Sequence, residues 1–251
     1  MGRYLALVPM ALALAACGGG GGGGLSLDPV ASAAQRTSKA GSIRFTVIMA
    51  GGTASGRYVS ATARGVSDNA DGSARMSLAF TEAGKTVHAR AIALGNDFYM
   101  NAPFLQSKLP SGKSWIKVDL KKLAKEAGGD TSLFDEAQQG TPAAPLQALR
   151  KVGKTEKVGP AVVVGVRATK YHATVDASRI DEHLPDLGVE HVPVDVWIDG
   201  KQMVRKIVVK VSAPNPNNSG EFTFVLRGFG PAVTIEPPPS DQTVDIFDLK
   251  G

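Results

Sequence analysis

Strict alternation of apolar and polar residues, repeated in run after run, most narrows what this chain can become. "SIRFTVIMA" (42–50) sets Ile43, Phe45, Val47 and Met49 on one side, with Arg44 and Thr46 on the other. "SARMSLAF" (73–80) sends Met76, Leu78 and Phe80 one way, and "KTVHARAIAL" (85–94) does the same with Val87, Ala89, Ala91 and Ala93. A period of two over such lengths is that of an antiparallel strand with one buried face. The connectors "DNADG" and "EAGK" are turn-rich, as a meander requires. "DFYMN" and "SWIKVDL" extend the series.

The period changes in the middle of the chain. "DLKKLAKEAGG" (119–129) places Leu120, Leu123, Ala124 and Ala127 on one helical stripe ended by glycines. "TPAAPLQALRKVG" (141–153) offers Thr141 as N-cap, Pro142 at the first helical position and Gly153 as a stop. "DTSLFDEAQQ" between them predicts another short helix. Brief amphipathic helices must lay their apolar faces on a larger partner, and the sheet is the only one available.

Strands then resume. "AVVVGVRATKYHATVD" and "HVPVDVWIDGKQMVRKIVVKVSA" are the clearest β segments, the second turning at Asp199-Gly200. On its latter half Met203, Ile207, Val209 and Val211 face one way, and Lys206 and Lys210 the other. "GEFTFVLRGFG" adds a strand, and the Pro-rich "TIEPPPSDQTVDI" is expected to wrap an edge, because proline is excluded from central strands. The expectation is an α+β fold. About ten strands form a strongly curved antiparallel half-barrel, with short helices on its concave face.

Ahead of the strands stands a different kind of segment. Arg3 and the apolar run Leu5–Leu14 read as a secretory signal, too short to span a bilayer, which needs about 20 apolar residues. Leu14-Ala15-Ala16-Cys17 is similar to a bacterial lipobox, and that likeness makes Cys17 the lipidation site and residues 1–16 a signal peptide. Cys17 is the only cysteine, so no internal disulfide is available. Two or three acyl chains anchor stably where one would not, at about 0.8 kcal/mol per buried CH₂. Seven glycines follow. Residues 17–27 then form a flexible tether with a span of roughly 18 Å, and residues 28–251 one domain held just off the membrane, outside the cytoplasm.

Composition limits the function classes. With 43% hydrophobic and 20% charged residues the body is globular. The net charge of +5 is spread over alternating strand positions and gathered in no basic arm, which argues against nucleic acid as a partner. His183 and His191 with Asp181 and Glu182 match no metal-site spacing, and "RIDEHLPDLG" reads as a solvated polar helix. His88 and His172 sit on strands whose alternation places them on the surface. There is no nucleophile elbow or phosphate loop, and an acylated Cys17 leaves no free thiol. The chain therefore reads as a non-enzyme with no cofactor and no metal. Trp115 and Trp197 belong on sheet faces.

"SWIKVDLKKLAKEAGG", "GVRATKYHATVD", "PVDVWIDGKQMVRKI" and "FGPAVTIEPPPSDQ" resemble the actinobacterial LppX/LprA/LprF/LprG lipoprotein family from the lipobox to the C-terminus. The resemblance implies a LolA-like half-barrel. It also implies an envelope lipoprotein that holds an acylated lipid or glycolipid between sheet and helices and assists its transfer, with a membrane transporter as a candidate partner and a monomeric state. On the residues alone Ala89, Ala91 and Ala93 mark either room for a ligand or a tight helix contact. The resemblance favours the first reading. It makes Val47, Met49, Met76, Leu78, Phe80, Val87, Ala89, Ala91 and Ala93, with Leu123 and Leu146 from the helices, the candidate wall. The alternative is an interaction lipoprotein of the same fold with a filled interior.

Overall fold

A computed structural model describes residues 28–52, 58–126, 143–150, 152, 155–176, 191–211 and 220–249. Lipobox, glycine tether, the "DTSLFDEAQQ" and "RIDEHLPDLG" segments, Thr141, Pro142, Gly153 and His183 lie outside the described residues. Among the described residues no helix is long and apolar enough to cross a membrane.

Twelve strands form one open, curved sheet. In chain order they are β1 Ser42–Gly52, β2 Tyr58–Asp68, β3 Ala74–Glu82, β4 Lys85–Leu94, β5 Asp97–Asn101, β6 Trp115–Asp119 and β7 Thr155–Val163. Then come β8 Val166–Asp176, β9 His191–Asp199, β10 Val204–Val211, β11 Gly220–Gly230 and β12 Thr243–Asp245. Their order across the sheet is β12-β6-β5-β4-β3-β2-β1-β11-β10-β9-β8-β7. All neighbours are antiparallel except β12, which lies parallel to β6. The two sequence blocks thus meet where β1 pairs with β11, and the helical insert leaves one flank and returns to the other.

Among the elements that go beyond the sequence expectation are two strands and a helix. β2 escapes notice because its core-facing residues are Ala61, Ala63, Gly65 and Ser67, too small or polar to make an apolar period. β12 is only three residues, but it delivers the Pro-rich tail to the sheet edge as expected. The helix is α1, Pro29–Thr37, in a stretch the strand periods pass over. The Asp28 carboxylate caps it, accepting from the N–H of Val30 at 2.8 Å, and Pro29 opens it. Its buried stripe is Val30, Ala33, Ala34 and Thr37.

The other helices are α2 Pro103–Gln106, α3 Leu120–Glu126 and α4 Ala143–Arg150, the last two where the period changes. α1 packs against α4 and against β9 and β10. The core under it joins Ile43, Phe45 and Val47 of β1 to Val194 and Val196 of β9, Ile207 of β10, Leu226 of β11, and Leu146 and Leu149 of α4.

"AVVVGVRATKYHATVD" is a hairpin, not one strand. Val164 (φ 50°) and Gly165 (φ 76°) form the two-residue turn between β7 and β8. Both central residues have positive φ, as the favoured hairpin turn demands, although a β-branched residue resists that region. A bulge between Val204 and Lys206 also changes a facing. It brings Val204 into the core beside Ile207, while Met203 is only half-buried. A second bulge faces Arg44 and Phe45 of β1, where Arg227 of β11 is the extra residue, and bulges of this kind add twist and bend to a sheet.

Candidate functional site

Cross-strand register gathers all nine strand candidates on the face that carries the helices. One row runs Phe45–Gly65–Met76–Ala91–Met100 across β1 to β5. The next is Ile207–Phe224–Val47–Ala63–Leu78–Ala89. Beyond it lies Val194–Val209–Phe222–Met49–Ala61–Phe80–Val87, with no polar side chain across seven strands. Ala93 falls one row the other way, opposite Ala74.

These rows differ in depth. Val47, Ala63, Ala89 and Ala91 are buried, and Met76 and Leu78 are half-buried. In the last row Phe222 is 38% exposed, Met49 38%, Phe80 41% and Val87 38%. The concave face therefore grades from a closed core into a broad apolar rim in contact with water. Large apolar groups are exposed this way at a cost, and contiguous patches of them mark binding surfaces.

Relief along the rows comes from residue size. β3 contributes the long side chains Met76, Leu78 and Phe80. On either side stand small residues: Ala61, Ala63 and Gly65 of β2, and Ala89 and Ala91 of β4. The long side chains of β3 thus stand between rows of small residues, of which Ala63, Ala89 and Ala91 are buried. Gly65 is required by close approach, since a Cβ there would collide with the carbonyl oxygen of Arg75. The small residues of β2 and the phenylalanines Phe222 and Phe224 of β11 belong to this surface, and sequence reasoning missed them. The apolar alternation of "GEFTFVLRGFG" carried the signal for β11, and nothing in β2 did.

The two helical candidates sit apart. Leu146 is completely buried beneath α1. Leu123 is half-buried on α3, which packs on β6 near the opposite flank of the sheet. The helices thus contribute one core anchor and one flank residue.

Several ionisable groups on the other face are paired. Hydrogen bonding to Asp97, at 2.9 Å, raises the Lys117 ammonium above its ordinary range, and burial pushes the Tyr99 phenol up. Burial pushes the Asp195 carboxyl up, but His172 and Lys170, each at 2.9 Å, outweigh it and hold the group below its usual range. His88 is exposed. His191 opens β9. Among the described residues no group of three His, Cys, Asp or Glu could hold a metal ion. Around the nine candidates the concave face is apolar, and Glu82 and Lys85 stand opposite each other in the row beyond Phe80 and Val87.

No protein-family model matches the chain. An uncharacterized 31.2 kDa protein of Streptomyces griseus, encoded in the rplA–rplJ intergenic region, is 28% identical over 88% of this chain and 80% of its own length. Among solved structures, LprF from Mycobacterium bovis aligns over 84% of this chain and 95% of its own, at 17% identity and a TM-score of 0.50. The lipoprotein LppX of Mycobacterium tuberculosis aligns over 83% of this chain and 100% of its own, at 16% identity and a TM-score of 0.48. The likeness to LprF shows that the fold is shared.

Proposed function

We propose that this protein is a membrane-tethered envelope lipoprotein of the LppX/LprF type that shelters the acyl chains of a lipid or glycolipid on its concave face and assists their transfer across the envelope. One observation carries the reading. The row Phe222–Met49–Phe80–Val87 presents four large apolar side chains to water beside a closed core. Each exposed CH₂ of a lipid tail costs about 0.8 kcal/mol, so two chains crossing an aqueous space need cover worth tens of kcal/mol. A rim of this kind gives tails a way onto the sheet, beside the small residues of β2 and β4.

The lipobox supports the rest of the proposal. Cys17 carries the acyl anchor and the glycine run is the leash, so extraction and handoff occur close to the membrane. The fold shared with LprF agrees with this reading.

The test is direct. The Cys17→Ala chain is purified without detergent, extracted with organic solvent and analysed by mass spectrometry. The expected result is an acylated lipid in near-stoichiometric amount, lost in the Phe80→Asp, Val87→Asp double variant. A lipid-free preparation would overturn the proposal and favour an interaction lipoprotein of the same fold.

A further inference from the structure

The face opposite the helices holds an open pocket of about 490 Å³. Of its eleven lining residues four are arginines, and none is acidic. Arg44, Arg64, Arg75 and Arg90 come one each from β1, β2, β3 and β4, four consecutive strands. Register explains how they converge. Arg44 and Arg75 share one cross-strand row on either side of Val66, while Arg64 and Arg90 share the next on either side of Ser77. At about 4.8 Å per strand, each pair spans about 10 Å between Cα atoms. The four positions zigzag from β1 to β4, a width of about 14 Å.

Three cations elsewhere on this face are matched by carboxylates. Lys117 meets Asp97 at 2.9 Å, Lys170 meets Asp195 at 2.9 Å, and Lys210 meets Glu221 at 3.8 Å. None of the four arginines is ion-paired among the described residues; Arg90 reaches only the Asn101 side-chain oxygen, at 3.5 Å. On this face of β1 to β4 the single carboxylate is Asp68, at the end of β2, where the N–H groups of Ala70 and Val233 already occupy it. Like charges crowded on a sheet repel, so the pocket lacks a counter-charge. Its floor is not polar throughout: Val66 and Ile92 are half-buried, and the buried ring of Trp115 lies 5.6 Å from the Arg90 guanidinium.

We infer that this pocket binds a phosphate-bearing anion whose organic part rests on Val66, Ile92 and Trp115. Arginine presents a planar fork of donors that fits phosphate two bonds at a time, and several forks around one hollow suit a multiply charged group. The site lies on the opposite face from the proposed acyl surface and stands without that proposal. Its ligand is either the headgroup of an anionic phospholipid or a soluble phosphate ester.

Calorimetry on the full chain with its anchor in neutral detergent separates these outcomes. Inorganic pyrophosphate and dihexanoyl phosphatidylglycerol are titrated separately. Saturable one-to-one binding of at least one probe is expected, and the probe that binds more tightly names the source. The Arg64→Gln, Arg75→Gln double variant is expected to weaken it at least tenfold. A Lys85→Gln, Lys201→Gln variant, with the same charge loss elsewhere, should change it less than twofold. Should the double variant not fold, Arg90→Gln alone is expected to weaken binding severalfold. Binding of neither probe, or equal weakening by the lysine variant, would overturn the site. A hexaglutamate peptide that binds more tightly than both probes would overturn the phosphate assignment in favour of an acidic polypeptide.

Discussion

The Thr37 hydroxyl accepts a hydrogen bond from the backbone N–H of Val204 at 2.9 Å, and donates to the carbonyl of Ala33 at 2.7 Å. Thr37 and Val204 are both fully buried. The bulge beside Val204 frees this N–H from the β9–β10 ladder, and the last turn of α1 supplies its partner. One hydroxyl thereby docks the first helix onto the sheet at the point where the sheet bends.

Replacing Thr37 by Val keeps the shape and removes the acceptor. A buried donor left unsatisfied costs about 1–3 kcal/mol. Urea denaturation of Thr37→Val should show a loss of that size, and Thr37→Ser, which keeps the oxygen, a clearly smaller one. An unchanged midpoint in Thr37→Val, which keeps the methyl group, would mean that the hydrogen bond does not dock the helix.

The turn Val164-Gly165 predicts a stabilising change. Val164 is exposed and holds φ 50°, a region that costs an L-residue roughly 1–2 kcal/mol and that asparagine tolerates. Val164→Asn creates the favoured Asn-Gly hairpin turn. Its thermal midpoint should rise by a few degrees, with lipid content unchanged. A lower midpoint would show that the valine side chain contributes contacts worth more than the strain.

Acid should weaken the β9–β10 hairpin first at Asp199. Burial pushes this carboxyl up, but the Met203 N–H, the Arg205 guanidinium at 2.7 Å and the Lys201 N–H together hold it below its ordinary range. A carboxyl depressed in the folded state stabilises the protein fully above its unfolded pKa of about 3.9, and that contribution is lost as pH falls through the folded value. Denaturation midpoints taken from pH 6 to pH 2 should therefore drop more steeply below pH 4 in the wild type than in Asp199→Asn, which starts lower. Parallel curves would remove Asp199 from the account.

Leu146 and Phe80 should separate stability from cargo. Leu146 is completely buried, so Leu146→Ala should cost about 2–5 kcal/mol. Phe80 is 41% exposed, and Phe80→Asp should leave the denaturation midpoint nearly unchanged while lipid recovered by mass spectrometry falls severalfold. Ala91→Trp, which places a large ring opposite Met76, should also lower lipid recovery. Full lipid content in both Phe80→Asp and Ala91→Trp would place the acyl chains elsewhere.

Much of the fold was legible because a strand with one buried face writes its period into the sequence. β1, β3, β4 and β11 were read this way, as were α3 and α4 where the period changed. α1 was legible too: Asp28-Pro29 is a cap followed by a first-turn proline, with its apolar stripe at helical spacing. Strand alternation alone does not mark it, because its period is helical. β2 could not be found by period, since its inner residues are small for packing against neighbours that only the folded sheet supplies. The turn at Val164 hid for a related reason, because cross-strand pairing overrides what valine prefers alone.

Local chemistry settled what could be settled from sequence: which segments alternate and become strands, which turn into helices, and that nine strand residues would share one face. Whether those nine make a core, a rim or both was decided by register, which buried Val47 and Ala91 and left Met49 and Phe80 at the edge. The arginines show the division most plainly. Arg44, Arg64, Arg75 and Arg90 are dispersed along the chain and read as scattered surface charge, yet four neighbouring strands bring them around one pocket. Sequence fixes each side chain's face through the two-residue period of a strand. Only the pairing of strands distant in the chain fixes its neighbours.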